Sequence, residues 1–199
     1  MNKDIMVCGV GGQGTVLASK IIAAAAMREG NTVHSAETIG MAQRGGSVTS
    51  HIRVGEQSYS PLVPPGSADI VIAFEPSEAV RNIAYLKAGG IAVVNTSPVR
   101  PVTESLHNTG YDGSEMVEFL KENCSCIFVD SDEINEKLGS AKFFNVFLLG
   151  VLAGSGKSGI GKDSLTAEIK KFVPEKFIDV NLAAFEAGYE KGTEFNADK

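Results

Sequence analysis

Gly9-Val10-Gly11-Gly12-Gln13-Gly14-Thr15 stands between two segments of different periodicity, and its reading decides the fold. Ahead of it, Ile5 to Val10 is an apolar run, the pattern of a strand buried on both faces. Behind it, Thr15 to Glu29 is rich in Ala, Leu and Ile and stops at Gly30, as a helix does. A Gly-x-Gly-x-x-Gly turn in that setting lets an anion approach the backbone while the amides of the helix N-terminus face it. The same glycines also satisfy a tight strand-to-helix turn with no ligand, and the turn alone does not choose between the two. Glu37 sits about where an acidic ribose ligand stands in a dinucleotide site.

Strand and helix patterns continue to alternate outward from this turn. Thr32 to Ala36 reads as a second strand. Ser47 to Val54 alternates, with Val48, Ile52 and Val54 on one face and Thr49, His51 and Arg53 on the other, and Gly55-Glu56 suggests a hairpin turn into Gln57 to Ser60. After a loop from Pro61 to Gly66, Ile70 to Phe74 has the wholly apolar pattern of a central parallel strand. Pro76 to Leu86 reads as a helix opened by proline, and Ile91 to Val94 as another strand. Past the proline-bearing connection Pro98 to Pro101 come a helix over Ser114 to Glu122 and a short strand, Ile127 to Val129. Helices near Phe143 to Ala153, Ser164 to Phe172 and Glu175 to Lys191 complete the chain. The expected fold is α/β: an open, mostly parallel Rossmann-like sheet with flanking helices, a β-hairpin and a helical C-terminal part. With 199 residues and 43% hydrophobic content, the chain has the core of a single domain spanning 1–199.

A formal net charge of −6 with no basic block argues against a nucleic-acid partner and against an anionic membrane, since both need clustered Lys and Arg. The N-terminus runs straight into the first strand without the parts of a signal peptide. The longest apolar run, Phe143 to Ala153, is too short to span a bilayer and carries Asn145 and Gly150. Three cysteines, an odd and sparse set, fit a reducing compartment, so the expected location is cytoplasmic.

Those cysteines also bound the chemistry. Iron–sulfur clusters and structural zinc sites each normally take four protein ligands, and Cys8, Cys124 and Cys126 cannot supply them. Cys124-Ser125-Cys126, which puts both sulfurs on one face if extended, is read as packing ahead of Ile127-Phe128-Val129 in preference to redox chemistry. No metal site is expected. Gly154-Ser155-Gly156-Lys157-Ser158 imitates the end of a phosphate-binding loop, but Val151 stands where that motif needs glycine, which leaves an interhelical turn. His51 reads as a solvated or interface histidine, and neither His34 nor His107 has companions suggesting a triad or metal site.

A second glycine-bearing stretch, Glu37-Thr38-Ile39-Gly40-Met41-Ala42-Gln43-Arg44-Gly45-Gly46-Ser47, changes the reading of the first. Gly9-x-Gly11-Gly12-Gln13-Gly14 followed by Glu37-Thr38-x-Gly40-x-x-x-Arg44-Gly45-Gly46 and a strand ending Ile52-Arg53 resembles the gamma-type domain of the 2-oxoacid:ferredoxin oxidoreductases. The resemblance covers the whole chain: Asn145 to Gly150 and Asn181 to Gly188 look like the helices that close that domain. At this length the chain is most similar to the stand-alone small subunits of the indolepyruvate type. The resemblance implies a subunit that supports oxidative decarboxylation of a 2-oxoacid, an arylpyruvate in that type, to its acyl-CoA, with electrons passed to ferredoxin. It implies that thiamine diphosphate, Mg and [4Fe-4S] clusters belong to a large partner subunit, with none in this chain, and it makes the co-substrate coenzyme A one candidate contact of this chain. A homodimer in isolation is compatible with it.

Candidate roles follow from the same resemblance. Gly9, Gly11, Gly12, Gln13, Gly14 and Thr15 form the turn that would meet CoA, another polyanion or the partner's backbone. Arg44 is suited to a carboxylate or phosphate and equally to an intersubunit salt bridge. Gly45 and Gly46 allow close backbone approach, and Thr38 and Ser47 offer hydroxyls. Glu75, at the carboxyl end of Ile70 to Phe74, lies on the ligand-binding edge of an open α/β sheet, with helix capping as the simpler account. Three readings remain beside the indolepyruvate type: a pyruvate or 2-ketoisovalerate gamma subunit, a stand-alone NAD-binding dehydrogenase, and a non-catalytic interaction module.

Overall fold

The computed structural model describes residues 1–39, 45–56, 59–99 and 110–197. Six strands form one sheet in the order β2-β3-β1-β4-β5-β6. They are β1 (Lys3–Val10), β2 (Val33–Ile39), β3 (Ser47–Val54), β4 (Ala68–Ala73), β5 (Leu86–Asn95) and β6 (Ser125–Val129). β1, β4, β5 and β6 are mutually parallel, while β3 runs antiparallel to both its neighbours, β1 and β2. The mostly parallel sheet expected from the sequence is therefore present.

Side chains of β1 alternate between two cores, as the period of two demands. Ile5 and Val7 join a large cluster with α1 (Thr15–Arg28), α5 (Phe144–Gly154), α6 (Lys162–Phe172) and α7 (Ile178–Ala197). Met6 and Cys8 join a smaller one with Ala79 of α2 (Pro76–Asn82) and Leu120 of α3 (Ser114–Asn123). α5 is buried almost all round, so it has no polar face to show and its apolar run is core.

α5 and α7 meet backbone to backbone. A Cβ added at Gly150, Gly154, Gly188 or Gly192 would strike main-chain atoms of the facing helix. Those glycines, spaced Gly-x-x-x-Gly in each helix, are what permits the approach. Among the described residues, no helix is long and apolar enough to cross a membrane.

Several boundaries differ from expectation for local reasons. β2 extends to Ile39, because β3 offers a full ladder of partners from Val33↔Val54 to Ile39↔Val48. β3 pairs antiparallel with β2 and with β1; of the expected second arm, Gln57 and Ser58 lie outside the described residues, and Tyr59 and Ser60 form no strand. The helix from Pro76 ends at Asn82 and tightens into a 3-10 turn, Ile83–Tyr85, before β5 begins at Leu86. A helix absent from the sequence reading, α4 (Ser131–Leu138), is capped by the Asp130 side chain, which accepts from the Asp132 amide. The imitation phosphate loop is an interhelical turn, with the Ser155 hydroxyl donating to the Leu152 carbonyl at 2.7 Å.

Candidate functional site at the carboxyl edge of the sheet

The parallel strands end together, and the two glycine stretches meet at that edge. The Gly11 amide donates to the Gly46 carbonyl at 2.8 Å, and the Gly45 amide returns a bond to the Gly11 carbonyl at 3.2 Å. Gly45 adopts φ +74° there, a left-handed conformation open to glycine at little cost. The clasp follows from topology: β3 begins at Ser47, opposite Val10 at the end of β1, so the residues just before β3 lie against the turn just after β1.

Within the turn, Gly12 and Gly14 take φ +104° and +82°. Gly9 and Gly14 are also sterically required. A Cβ at Gly9 would lie 2.8 Å from the Phe74 Cβ, and one at Gly14 would lie 2.8 Å from the Asn145 side-chain nitrogen. At Gly12 nothing stands within 4 Å of an added Cβ, so conformation alone calls for glycine there. Gln13 folds inward: its Oε1 accepts from the Val10 amide at 2.8 Å and its Nε2 donates to the Phe74 carbonyl at 2.9 Å. Thr15 is buried in the first turn of α1, whose N-cap, Gly14, supplies no side-chain bond. Ala18 is the first α1 residue to donate back into the turn, to the Gly14 carbonyl at 3.0 Å. The amides of Thr15, Val16 and Leu17 therefore have no partner within the helix.

A polar cluster adjoins the turn. Glu75, 1% exposed, caps α2 by accepting from the Glu78 amide at 3.0 Å, and it also accepts from the Ser77 and Tyr111 hydroxyls. Burial, followed by the hydrogen bond to Glu75, pushes the Tyr111 phenol up to about 12. Glu78, also buried, accepts from the Ser47 hydroxyl at 2.6 Å and faces Arg81 at 3.5 Å. Asn95, at the end of β5, donates to the Phe74 carbonyl at 3.0 Å and accepts from the Ser131 amide at 3.0 Å, tying the tips of β4, β5 and α4 together. Cys8 lies fully buried beneath this cluster, its thiol pushed up by burial and then by Glu78 and Glu75, which makes it inert.

The structure therefore brings Gly9, Gly11, Gly12, Gln13, Gly14, Thr15, Gly45, Gly46, Ser47 and Glu75 to one edge. Thr38 lies elsewhere: it pairs with Thr49 in β2, the far side of β3 from β1, about 10 Å from β1 at two strand spacings. Glu37 shares that displacement and accepts from the Ser19 hydroxyl at 3.2 Å. An acidic residue beside β1 is what a dinucleotide site needs, and the inserted β3 removes it. Arg44 and His107 lie outside the described residues. His51 is buried, not solvated: its Nδ1 accepts from the Val63 amide at 3.1 Å, and its ring packs edge-on against Tyr85. Glu78, Ser77, Asn95 and Tyr111 escaped the sequence reading. Glu75-Pro76-Ser77-Glu78 does carry a signal, an acidic N-cap three residues before a glutamate. Tyr111 carries none.

Comparison with known proteins agrees with this geometry. The family model described as pyruvate ferredoxin/flavodoxin oxidoreductase matches residues 4–191. An indolepyruvate oxidoreductase subunit IorB from Archaeoglobus fulgidus is 40% identical, over 95% of this chain and 94% of its own. The pyruvate/ketoisovalerate oxidoreductases common subunit gamma from Thermococcus kodakarensis is 29% identical, over 94% of this chain and 96% of its own. In fold, the chain superposes with a TM-score of 0.73 on 2-oxoglutarate:ferredoxin oxidoreductase from Magnetococcus marinus, solved with 2-oxoglutarate, coenzyme A and succinyl-CoA bound. That match is 21% identical and covers 97% of this chain but 31% of the larger one. A six-stranded sheet with a glycine-clasped carboxyl edge, matched nearly end to end by the family model, makes this chain a member of the pyruvate ferredoxin/flavodoxin oxidoreductase family.

Proposed function

We propose that the chain is the small subunit of an indolepyruvate-type 2-oxoacid:ferredoxin oxidoreductase, acting in the oxidative decarboxylation of arylpyruvates to acyl-CoA. The observation that carries this reading is the contrast in identity over nearly full length, 40% to an indolepyruvate oxidoreductase subunit against 29% to a pyruvate/ketoisovalerate gamma subunit. The subunit is inactive alone. Its three cysteines fall one short of a four-thiolate cluster, and one of them, Cys8, is sealed in the core. Among the described residues no group of acidic, His and Cys side chains fits a metal ion either. In this reading thiamine diphosphate, Mg and the [4Fe-4S] clusters belong to a large partner subunit, which passes electrons to ferredoxin.

This chain contributes binding and shape. The amides of Thr15, Val16 and Leu17, which have no partner within the helix, suit an anionic group such as a CoA phosphate, helped by the positive end of α1. Arg44, in the stretch that continues into Gly45, Gly46 and Ser47, supplies a planar fork for a carboxylate or phosphate. Glu75 acts by holding α2 and Tyr111 in place. Thr38, one strand removed, meets the partner subunit.

Co-purification of the tagged chain from its own anaerobically grown cells, with indolepyruvate-dependent reduction of ferredoxin or a viologen dye as the assay, tests the reading. A brown, active complex with one large partner is expected, and Arg44→Ala in that complex should raise the KM for CoA or the 2-oxoacid without loss of assembly. A colourless chain without a partner that binds NAD stoichiometrically would overturn the proposal.

A further inference from the structure

The opposite end of the sheet carries a second reactive feature. Cys124 caps the end of α3, and Cys126 is the second residue of β6, with Ser125 between them. Their sulfurs stand 3.2 Å apart, and both side chains are half-buried. The Cys124 sulfur also lies 3.1 Å from the Leu120 carbonyl oxygen, which fixes it on the Cys126 side of the turn. Beside the pair is a cavity of about 370 Å³ lined by Lys87, Gly89, Gly90, Asn123, Cys124 and Ser125, wide enough to admit a small solute.

The separation selects the chemistry. Two thiolates on one linear metal ion would sit about 4.6 Å apart at a metal–sulfur distance near 2.3 Å, and a tetrahedral ion needs further ligands. At 3.2 Å the sulfurs are closer than two-coordinate ligation asks and within reach of a direct bond. Cys124 lines the cavity beside the pair and Cys126 does not, so a solute in it meets the Cys124 sulfur first; burial, and then the Cys124 neighbour, push the Cys126 thiol up.

We propose that Cys124 and Cys126 form a dithiol site that a small peroxide oxidises to an intrachain disulfide, apart from the carboxyl-edge site. The Cys124 sulfur attacks one peroxide oxygen of hydrogen peroxide, the O–O bond breaks, and water leaves a sulfenic acid. The Cys126 sulfur attacks that sulfur, the S–S bond forms, and hydroxide leaves with the Cys126 proton as a second water. Two thiols lose two electrons and two protons, and one peroxide becomes two waters. A thiol reductant reverses the step.

The full-length chain exposed to stoichiometric hydrogen peroxide, then denatured and alkylated, tests this by intact and peptide mass. The expected product has lost two hydrogens, takes one alkyl group, on Cys8, in place of three, and returns to three after dithiothreitol. Cys124→Ser and Cys126→Ser should each abolish the intrachain product, and in Cys126→Ser the Cys124 sulfenic acid should be trapped by dimedone. Sulfinic acid on a single cysteine of the unmutated chain, disulfide-linked dimers, or two free thiols at 124 and 126 after treatment would each overturn the proposal. Circular dichroism of each variant checks that the fold is retained, so loss of the product is not loss of structure.

Discussion

Gly188→Ala sets two well-known effects against each other, and the structure decides the sign. Alanine in a helix interior is favoured over glycine by about 1 kcal/mol, so a solvent-facing position would be stabilised. At Gly188 the added Cβ would stand 3.0 Å from both the Phe147 carbonyl carbon and the Val151 amide nitrogen, and closer still to the Phe147 oxygen, all main-chain atoms of α5. No rotamer relieves a clash with backbone, so α5 and α7 must part. A shift of roughly 1 Å forfeits about a quarter to a half of the dispersion energy at each contact it opens, and overpacking of this kind costs about 1–3 kcal/mol or more. Taking the upper end and subtracting the propensity gain leaves a net loss of about 2 kcal/mol, which in a chain of this length lowers Tm by about 4–8 °C. Thermal melts of the purified chain followed by circular dichroism measure it, with Gly150→Ala as the counterpart on α5. Added alone, each substitution should destabilise. Together they should cost less than the sum, because one separation of the helices accommodates both methyls. An unchanged or raised Tm for Gly188→Ala would refute the backbone-to-backbone crossing.

Three further outcomes can be measured on the same preparation. Burial lowers the His51 pKa below its ordinary 6.5, so the folded state prefers the neutral ring. The linked stability is complete above about pH 6.5 and is lost as pH falls below it toward the folded-state value, because there the unfolded chain binds more protons. Urea unfolding at pH about 7.5 and about 5.5 should show that loss, smaller in His51→Gln. Tyr111→Phe removes a donor from the buried Glu75 carboxylate and should cost about 1.5–3 kcal/mol. It should also remove the phenol step expected near pH 12 in an ultraviolet titration. Gln13→Ala breaks the bonds to Val10 and Phe74 and should lower stability by about 1–2 kcal/mol. An effect under about 0.3 kcal/mol would mean that water replaces both.

What could be read from the chain beforehand was what local pattern encodes. The alternation of β1 between two cores, the α1 helix and the apolar β4 all follow from periodicity within single segments. The end of β2 was misplaced because Glu37 and Thr38 are polar, and their place in the ladder depends on β3, which arrives later in the sequence. The second arm of the hairpin was sought in the segment after Gly55, although the partner had already passed. His51 reads as a solvated or interface histidine because alternation marks one face as polar without telling whether another segment of the chain covers it. Here the stretch around Val63 does. The segments Asn145 to Gly150 and Asn181 to Gly188 are legible as a family resemblance, but the pairing of glycines between α5 and α7 is not, since nothing in either helix announces which backbone the other will bring.

The glycine turn shows how one motif acquires a different meaning from its surroundings. In a dinucleotide fold the turn after β1 is open toward the strand beside it, and phosphate oxygens take up its amides. In this chain β3 occupies that neighbouring place, and the residues leading into it deliver a carbonyl oxygen 2.8 Å from the Gly11 nitrogen, where an anion's acceptor would otherwise sit. Gln13 plugs the inner side by bridging Val10 and Phe74. What stays available is the outer rim, Gly12 and Gly14 with the first turn of α1. The same glycines that suggest a nucleotide cleft thus clasp two segments together at the rim beside the N-terminus of α1. In the function proposed above, that rim is the part of the turn left to meet an anionic ligand shared with the partner subunit.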